Sequence, residues 1–258
     1  MNKFTRRTVI AAACAAAAMT FGPMSFAQQA PEKKDVTIAV GGKSLYYYLP
    51  LSIAEQLGYF KDEGLNVKIV DFQGGSRSLQ AVVGGSADVV SGAFEHTISM
   101  QAKKQPMTAF VLQGRAPQLA LVVSNKTMKD YKQLSDLKGK KVGVTAPGSS
   151  SQMVANFILK KGGLGPKDVA FIGVGSSSGA VSAIRSGQID ALINLDPVIT
   201  ILLKNGDAKL VADTRKVKES ESFFGGTMPA GCLYAPVSFI EKNPQTVQAL
   251  TNAIVRAD

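Results

Sequence analysis

The sequence predicts an α/β protein built as two similar lobes that face each other across a cleft. Three observations predict it. Strand-like and helix-like segments alternate along the chain, the pattern of parallel sheets covered by helices. A stretch of the first half, AVVGGSAD (Ala81 to Asp88), returns in the second as AIRSGQID (Ala183 to Asp190), at a constant offset of 102. The turns that follow the strands are rich in Gly, Ser and Thr.

Taken in order, Val36–Val40 is a buried strand and Tyr48–Glu63 a helix, with Pro50 tolerable in its first turn. Leu65–Phe72 is a strand, Leu79–Val83 a helix, Asp88–Ser91 a short strand and Phe94–Lys103 a helix. Met107–Leu112 and Gln118–Ser124 are strands, the latter expected to link the lobes. The second block gives strands at Lys140–Thr145, Val169–Val174, Ile189–Asn194 and Lys209–Ala212. Between them lie helices at Gln152–Lys161, Ala180–Arg185 and Pro197–Lys204.

In the repeated stretch a helix ends, a Gly takes the left-handed position after it, and a short turn with Asp leads into a strand. Ile38–Gly42 echoes Val142–Ala146 in the same way. Two such lobes would turn the carboxyl ends of their strands toward one cleft, where open α/β sheets hold ligands. The loops there are Gly41–Ser44, Gly74–Arg77, Ser91–Thr97, Ala146–Ser151, Gly175–Gly179 and Leu195–Pro197. Their N–H groups and helix N-termini suit an anionic group.

The first 27 residues are read apart from the fold. A basic start, an alanine-rich run too short to span a bilayer, and Ser25-Phe-Ala27 together form an export signal. Thr5–Ile10 fits the twin-arginine route, and the general secretory route fits as well. Residues 28–35 are expected to be a linker, 36–117 and 231–258 one lobe, and 118–230 the other.

Removing the signal takes away Lys3, Arg6 and Arg7, leaving 26 basic residues against 19 acidic and a net charge of +7. The lysines are dispersed, with no basic stripe and interleaved aromatics, so nucleic acid is not the expected partner. Cys232 is then the lone thiol, which makes neither a disulfide nor a zinc cage. No metal or other cofactor is expected.

Candidate site residues come from the cleft loops. Ser149, Ser150 and Ser151, after Gly148, stand at a helix start as caps or as oxyanion donors. Ser76 and Arg77, after Gly75, offer a hydroxyl and a guanidinium fork, unless Arg77 lies on an exposed face. Gly42, Ser44 and Ser176 belong to equivalent loops. Of Tyr46, Tyr47 and Tyr48, successive residues cannot all face one way, and one facing the ligand beside Phe94 is the expected arrangement. Asp196 caps a helix or binds a ligand donor. His96 is the only histidine, so metal binding or triad chemistry lacks its other members; a hydrogen-bonding pocket role is expected, with a structural role as the alternative. Glu95 need not pair with it, since adjacent helical residues point about 100° apart. GVGSSSG (Gly173–Gly179) departs from a dinucleotide fingerprint, its third Gly one position late.

Four segments in order carry a resemblance: Pro50–Leu65 (PLSIAEQLGYFKDEGL), Gly84–Asp88 (GGSAD), Asp136–Val144 (DLKGKKVGV) and Ser186–Ala191 (SGQIDA). From Val36 to the end the chain resembles the substrate-binding proteins of ABC importers for nitrate, sulfonates and taurine, whose fold fungal thiamine-pyrimidine synthases share. The resemblance implies a type II periplasmic binding fold, two lobes joined by two hinge strands, closing on a small ligand and delivering it to a membrane permease. It puts ligand-binding groups in the loop of Ser149 and the second crossing near Gly231–Ala235. The family pattern continues past Asp258, so a missing end of the first lobe is expected, with a longer version more stable. The expected function is a monomeric, exported solute receptor for a small organic anion, with no bond made or broken. The alternatives are binding of a thiamine-pyrimidine precursor, a pyrimidine synthase-like enzyme, and a receptor that serves a membrane sensor.

Overall fold

The computed structural model describes residues 29–258, in which Pro31–Asp258 forms one compact unit. The expected export signal lies outside the described residues.

Two five-stranded mixed sheets organise this unit. The first has the order β2-β1-β3-β10-β4, from β1 (Asp35–Val40), β2 (Asn66–Asp71), β3 (Val89–Ala93), β4 (Met107–Leu112) and β10 (Gly231–Pro236). The second has the order β7-β6-β8-β5-β9, from β5 (Ala120–Ser124), β6 (Lys141–Val144), β7 (Ala170–Gly173), β8 (Ala191–Asn194) and β9 (Ala208–Asp213). In each sheet four strands run in one direction and one antiparallel strand is inserted, β10 between β3 and β4, and β5 between β8 and β9. Central strands β3, β5 and β8 are buried at every residue, whereas edge strand β2 is half-exposed. Their sequences, VVSGA, ALVVS and ALIN, are accordingly short continuous apolar runs.

Ten helices among the described residues cover the sheets. They are α1 (Leu49–Gln56), α2 (Tyr59–Asp62), α3 (Gly75–Val83), α4 (Glu95–Ala102), α5 (Ser150–Lys161), α6 (Ser178–Ser186), α7 (Val198–Lys204), α8 (Val217–Phe224), α9 (Val237–Lys242) and α10 (Pro244–Ala257). Strand β10 shows the layering. Leu233 and Ala235 pack with Leu51 and Ala54 of α1 and Leu250 and Ile254 of α10. Cys232 and Tyr234, on the opposite face, pack with Leu79 and Val82 of α3 and Met100 of α4.

The echo is reproduced bond for bond. Gly85 (φ +75°) and Gly187 (φ +82°) both take the left-handed turn. Asp88 Oδ2 accepts from Thr37 N–H at 2.9 Å, and Asp190 Oδ2 accepts from Lys141 N–H at 3.0 Å. Each Asp thereby ties its turn to the neighbouring parallel strand.

Three expectations need correction. The helix expected over Tyr48–Glu63 is two helices, because Gly58 takes φ +78° and ends the first. The strand expected to link the lobes pairs on both sides within the second sheet, so the first connection is the segment before it, from Gln113 to Leu119. Likewise β10 lies inside the first sheet, and the return connection runs from Thr214 to Ala230 through α8, a helix that the sequence reading left out. Residues before β1 are also held: the Glu32 carboxylate accepts from Gln245 N–H and Thr246 N–H at the start of α10.

Candidate functional site

Loops at the carboxyl ends of the parallel strands of the two sheets meet, and the contacts between them are close. Ser149 Oγ accepts from Ser76 N–H at 3.0 Å and donates to Ser76 Oγ at 3.1 Å. Ser76 Oγ in turn donates to the Pro147 carbonyl at 2.9 Å. Tyr46 N–H donates to the Asp196 carbonyl at 3.1 Å. Two glycines allow the approach. A Cβ on Gly42 would stand 2.2 Å from Ser176 Oγ, and one on Gly74 would stand 2.8 Å from Ala146 Cβ. The lobes are therefore closed on each other.

Beside this seam lies a cavity of about 710 Å³ lined from both lobes. Gly42, Ser44, Asp71 and Arg77 line it from one side, and Ser176 with Ser177 and Ser178 at the start of α6 from the other. Asp71 Oδ1 accepts from Gly42 N–H and Lys43 N–H, at 2.8 and 2.9 Å, which fixes the first loop. Arg77 is exposed at the rim and Ser176 is buried.

The remaining candidates are distributed as follows. Ser149 caps α5 by position only, since its hydroxyl crosses to Ser76 instead of closing on its own helix. Ser150, half-buried, is the first residue of α5, and Gly148 N–H is held by Gln152 Oε1 at 2.8 Å. Ser151 turns into its own lobe, where Thr145 N–H and the Thr145 hydroxyl engage its Oγ at 3.0 and 2.9 Å. The three tyrosines part company in a 3₁₀ turn. Tyr46 is 64% exposed, Tyr47 is buried, and Tyr48 Oη accepts from Gly41 N–H at 3.1 Å. Phe94 is half-buried at the start of α4.

Asp196 binds in three directions. Its Oδ1 accepts from Thr200 N–H and Thr200 Oγ1 at 3.0 and 2.8 Å, capping α7. Its Oδ2 accepts from Arg215 Nη1 at 3.0 Å. Arg215 stands just after β9 and also forks onto both carboxylate oxygens of Asp213, at 2.7 and 3.0 Å. The bonds to Asp213 and Asp196 raise the guanidinium pKa above its ordinary range. Thus one loop residue joins a lobe contact to the return connection.

His96 and Glu95 both point inward, at 5% and 8% exposure. No hydrogen bond joins them to each other. His96 Nε2 would stand 3.3 Å from a Cβ on Gly75, and its ring centroid lies 6.4 Å from that of Tyr234. Burial, with a smaller contribution from Lys103, lowers the imidazole to about 4, so it is neutral near pH 7. Burial raises Glu95 to about 7, partly offset by a bond from its own backbone N–H. Two partners were missed by sequence reasoning. Gln113 directly follows β4, with Oε1 accepting from Ser91 Oγ at 2.8 Å, and Tyr234 extends from β10. A lone amide at the end of the apolar run MTAFVL was the available signal for Gln113.

A family model described as "NMT1/THI5 like" matches residues 46–257. A solved structure of a Bordetella bronchiseptica RB50 protein is 64% identical, with a TM-score of 0.87, covering 89% of this chain and 72% of that one. The alkanesulfonate-binding protein SsuA of Xanthomonas axonopodis pv. citri, bound to MOPS, is 21% identical over 88% of this chain and 73% of its own, with a TM-score of 0.70. Among curated proteins, the 4-amino-5-hydroxymethyl-2-methylpyrimidine phosphate synthase of Schizosaccharomyces pombe is 25% identical over 85% of this chain. The chain spans 63% of that enzyme's length. The two-lobed fold is that of periplasmic binding proteins.

Proposed function

The chain belongs to the NMT1/THI5-like family, and from that membership we propose that it is the solute-binding component of an ABC-type import system. In this reading it is exported to the periplasm, captures a small organic anion between its lobes, and hands it to a membrane permease. The observation that carries the reading is the closed seam: Ser76, Ser149, Pro147, Tyr46 and Asp196 join two lobes beside a polar cavity. Loops that bond across a cleft in one position can release it in another, which is what capture by hinge closure requires. Helix N-termini of α3, α5 and α6 supply N–H groups for the acidic end of the solute. Ser76, Ser149, Ser176 and Arg77 supply further donors.

The synthase relatives raise a second reading, in which the chain makes or breaks a bond. Against it stands Cys232, which is buried and whose thiol burial pushes up to about 12, so it is a poor nucleophile or thiolate ligand.

The test is equilibrium titration of the purified protein against sulfonates, carboxylates and pyrimidines, with small-angle scattering to follow closure. At least one compound is expected to bind at micromolar or tighter affinity and to reduce the radius of gyration. Ser150→Asp puts a like charge beside the acid, at a helix start where folding tolerates it. Unchanged binding in that variant would refute an anion held at this loop. Turnover of a bound compound would favour the enzyme reading.

A further inference from the structure

Behind the seam, at the carboxyl end of β3 and the start of β10, lie buried polar groups apart from the cavity lining. Glu95, His96, Gln113 and Tyr47 are 5–8% exposed and Tyr234 is 0% exposed. Tyr47 Oη, His96 Nε2, Gln113 Nε2 and Tyr234 Oη are all buried without a hydrogen-bond partner among the described residues. They fall in two pairs at one end of the first sheet, Tyr47 with Gln113 on one face and Tyr234 with His96 on the other. A Cβ on Gly231 would lie 3.4 Å from Tyr47 Cζ and 3.5 Å from Gln113 Cβ. Tyr234 Oη would lie 3.5 Å from a Cβ on Gly92, and its ring faces His96. Burial pushes up the protons of Tyr47, Cys232 and Tyr234, and the charge of Glu95 adds to each.

A buried polar group without a partner costs about 1–3 kcal/mol, so most folds contain few of them. Four at one end of a sheet, near a carboxyl group with no Lys or Arg in ion-pair reach among the described residues, call for a partner from outside the chain. The inventory fixes what that ligand carries. Gln113 Oε1 is engaged by Ser91, which leaves Nε2 to donate. His96 is neutral and can accept or donate at Nε2. Glu95, when ionised, can only accept, and its missing counterpart is a donor or a cation. An all-acceptor group such as a sulfonate would face a buried carboxylate without compensation.

Resting on the solute-binding reading, we infer that Glu95, with Gln113, His96, Tyr47 and Tyr234, forms a recognition pocket for a nitrogen-bearing group of the solute, an amine, amide or amidine that presents N–H to the carboxylate. The solute is then an acid with an N–H function, its acidic end at the loop N-termini and its nitrogen at Glu95.

Two pairs of probes differ only in that nitrogen: taurine against ethanesulfonate, and 4-aminobenzoate against benzoate. Isothermal titration of the full chain is expected to give the amino member of at least one pair a tenfold or greater advantage. In Glu95→Gln, which keeps shape but removes the charge and turns one of two acceptor oxygens into a donor, the advantage falls below twofold. Gln113→Met serves as a second variant, expected to weaken binding with its thermal midpoint reported alongside. Equal affinity within each pair that binds, or an advantage that survives Glu95→Gln, overturns the pocket and leaves the solute-binding reading standing. No binding by any of the four probes overturns the pocket, and loss of ligand-driven closure across the wider compound panel overturns the solute-binding reading separately.

Discussion

Replacing Glu95 by Gln should stabilise the free protein, and only where the carboxyl is otherwise forced to ionise. Burial pushes Glu95 up to about 7 in the fold, from an ordinary value of 4.5. Each unit is worth about 1.4 kcal/mol, so the ionised side chain costs about 3 kcal/mol relative to the unfolded chain. The folded pKa is raised, so the stability contributed by the neutral form is complete below pH 4.5 and is lost as pH rises through about 7. Gln has no such loss. For a domain of this size about 3 kcal/mol moves a thermal midpoint by about 6–12 °C. Calorimetry in 0.5-unit steps between about pH 4 and 8.5 should therefore show the two midpoints together in acid and the variant rising above the parent toward pH 8. His96 behaves oppositely. Its folded pKa is lowered to about 4, so its neutral form contributes stability above 6.5 that is lost as pH falls through about 4. That trend is common to both proteins and cancels in the difference. A gap that is the same at every pH would show that Glu95 is not desolvated as the structure has it.

Three further outcomes are expected. Gly42→Ala brings a Cβ to 2.2 Å from Ser176 Oγ at a φ of +117°, so it should hold the lobes apart, enlarging the radius of gyration and weakening solute binding at least tenfold; Gly226→Ala, with nothing within 4 Å, is the control that should do neither. Arg215→Met leaves Asp213, whose side chain is 4% exposed, without its cation, and urea unfolding should register a loss of about 3 kcal/mol, the low end for a broken buried pair. Cys232, buried and with its thiol pushed up to about 12, should resist alkylation at pH 8.5 in the native protein and react at once in urea, read by mass spectrometry of its peptide.

Much of the fold was legible in the sequence because it is locally encoded. The left-handed glycines at 85 and 187 and the aspartates that follow them announce two copies of one unit, and the structure gives both the same bonds. Alternating segments likewise placed the parallel strands within a residue or two. What was not legible depends on chain segments far apart. Nothing local tells that Ser149 would abandon its own helix for Ser76, 73 residues away, or that Ser151 would turn inward to Thr145. The Gly58 break was visible as a glycine, but apolar periodicity on both sides hid it. Tyr46–Tyr48 could be divided into exposed and buried only once Gly41 was known to donate to Tyr48 Oη. His96 drew attention as the single histidine, while Gln113 and Tyr234, the other members of the buried cluster besides Glu95 and Tyr47, are residues whose types are common and whose neighbours are set by strand order.

The place of β10 also sets an order in time. Every strand of the second sheet lies within residues 120–213, so that sheet can be completed as soon as those residues are available. The first sheet cannot. Its strands β3 and β4 have no bond to each other and wait for Gly231–Pro236 to enter between them. While a chain is being made, the earlier half therefore stands with two open strand edges until the later half arrives. Such edges are where nascent chains aggregate and where chaperones bind. A protein that emerges first-lobe-first but finishes that lobe last should have a folding yield that depends on how quickly residues 231–236 follow.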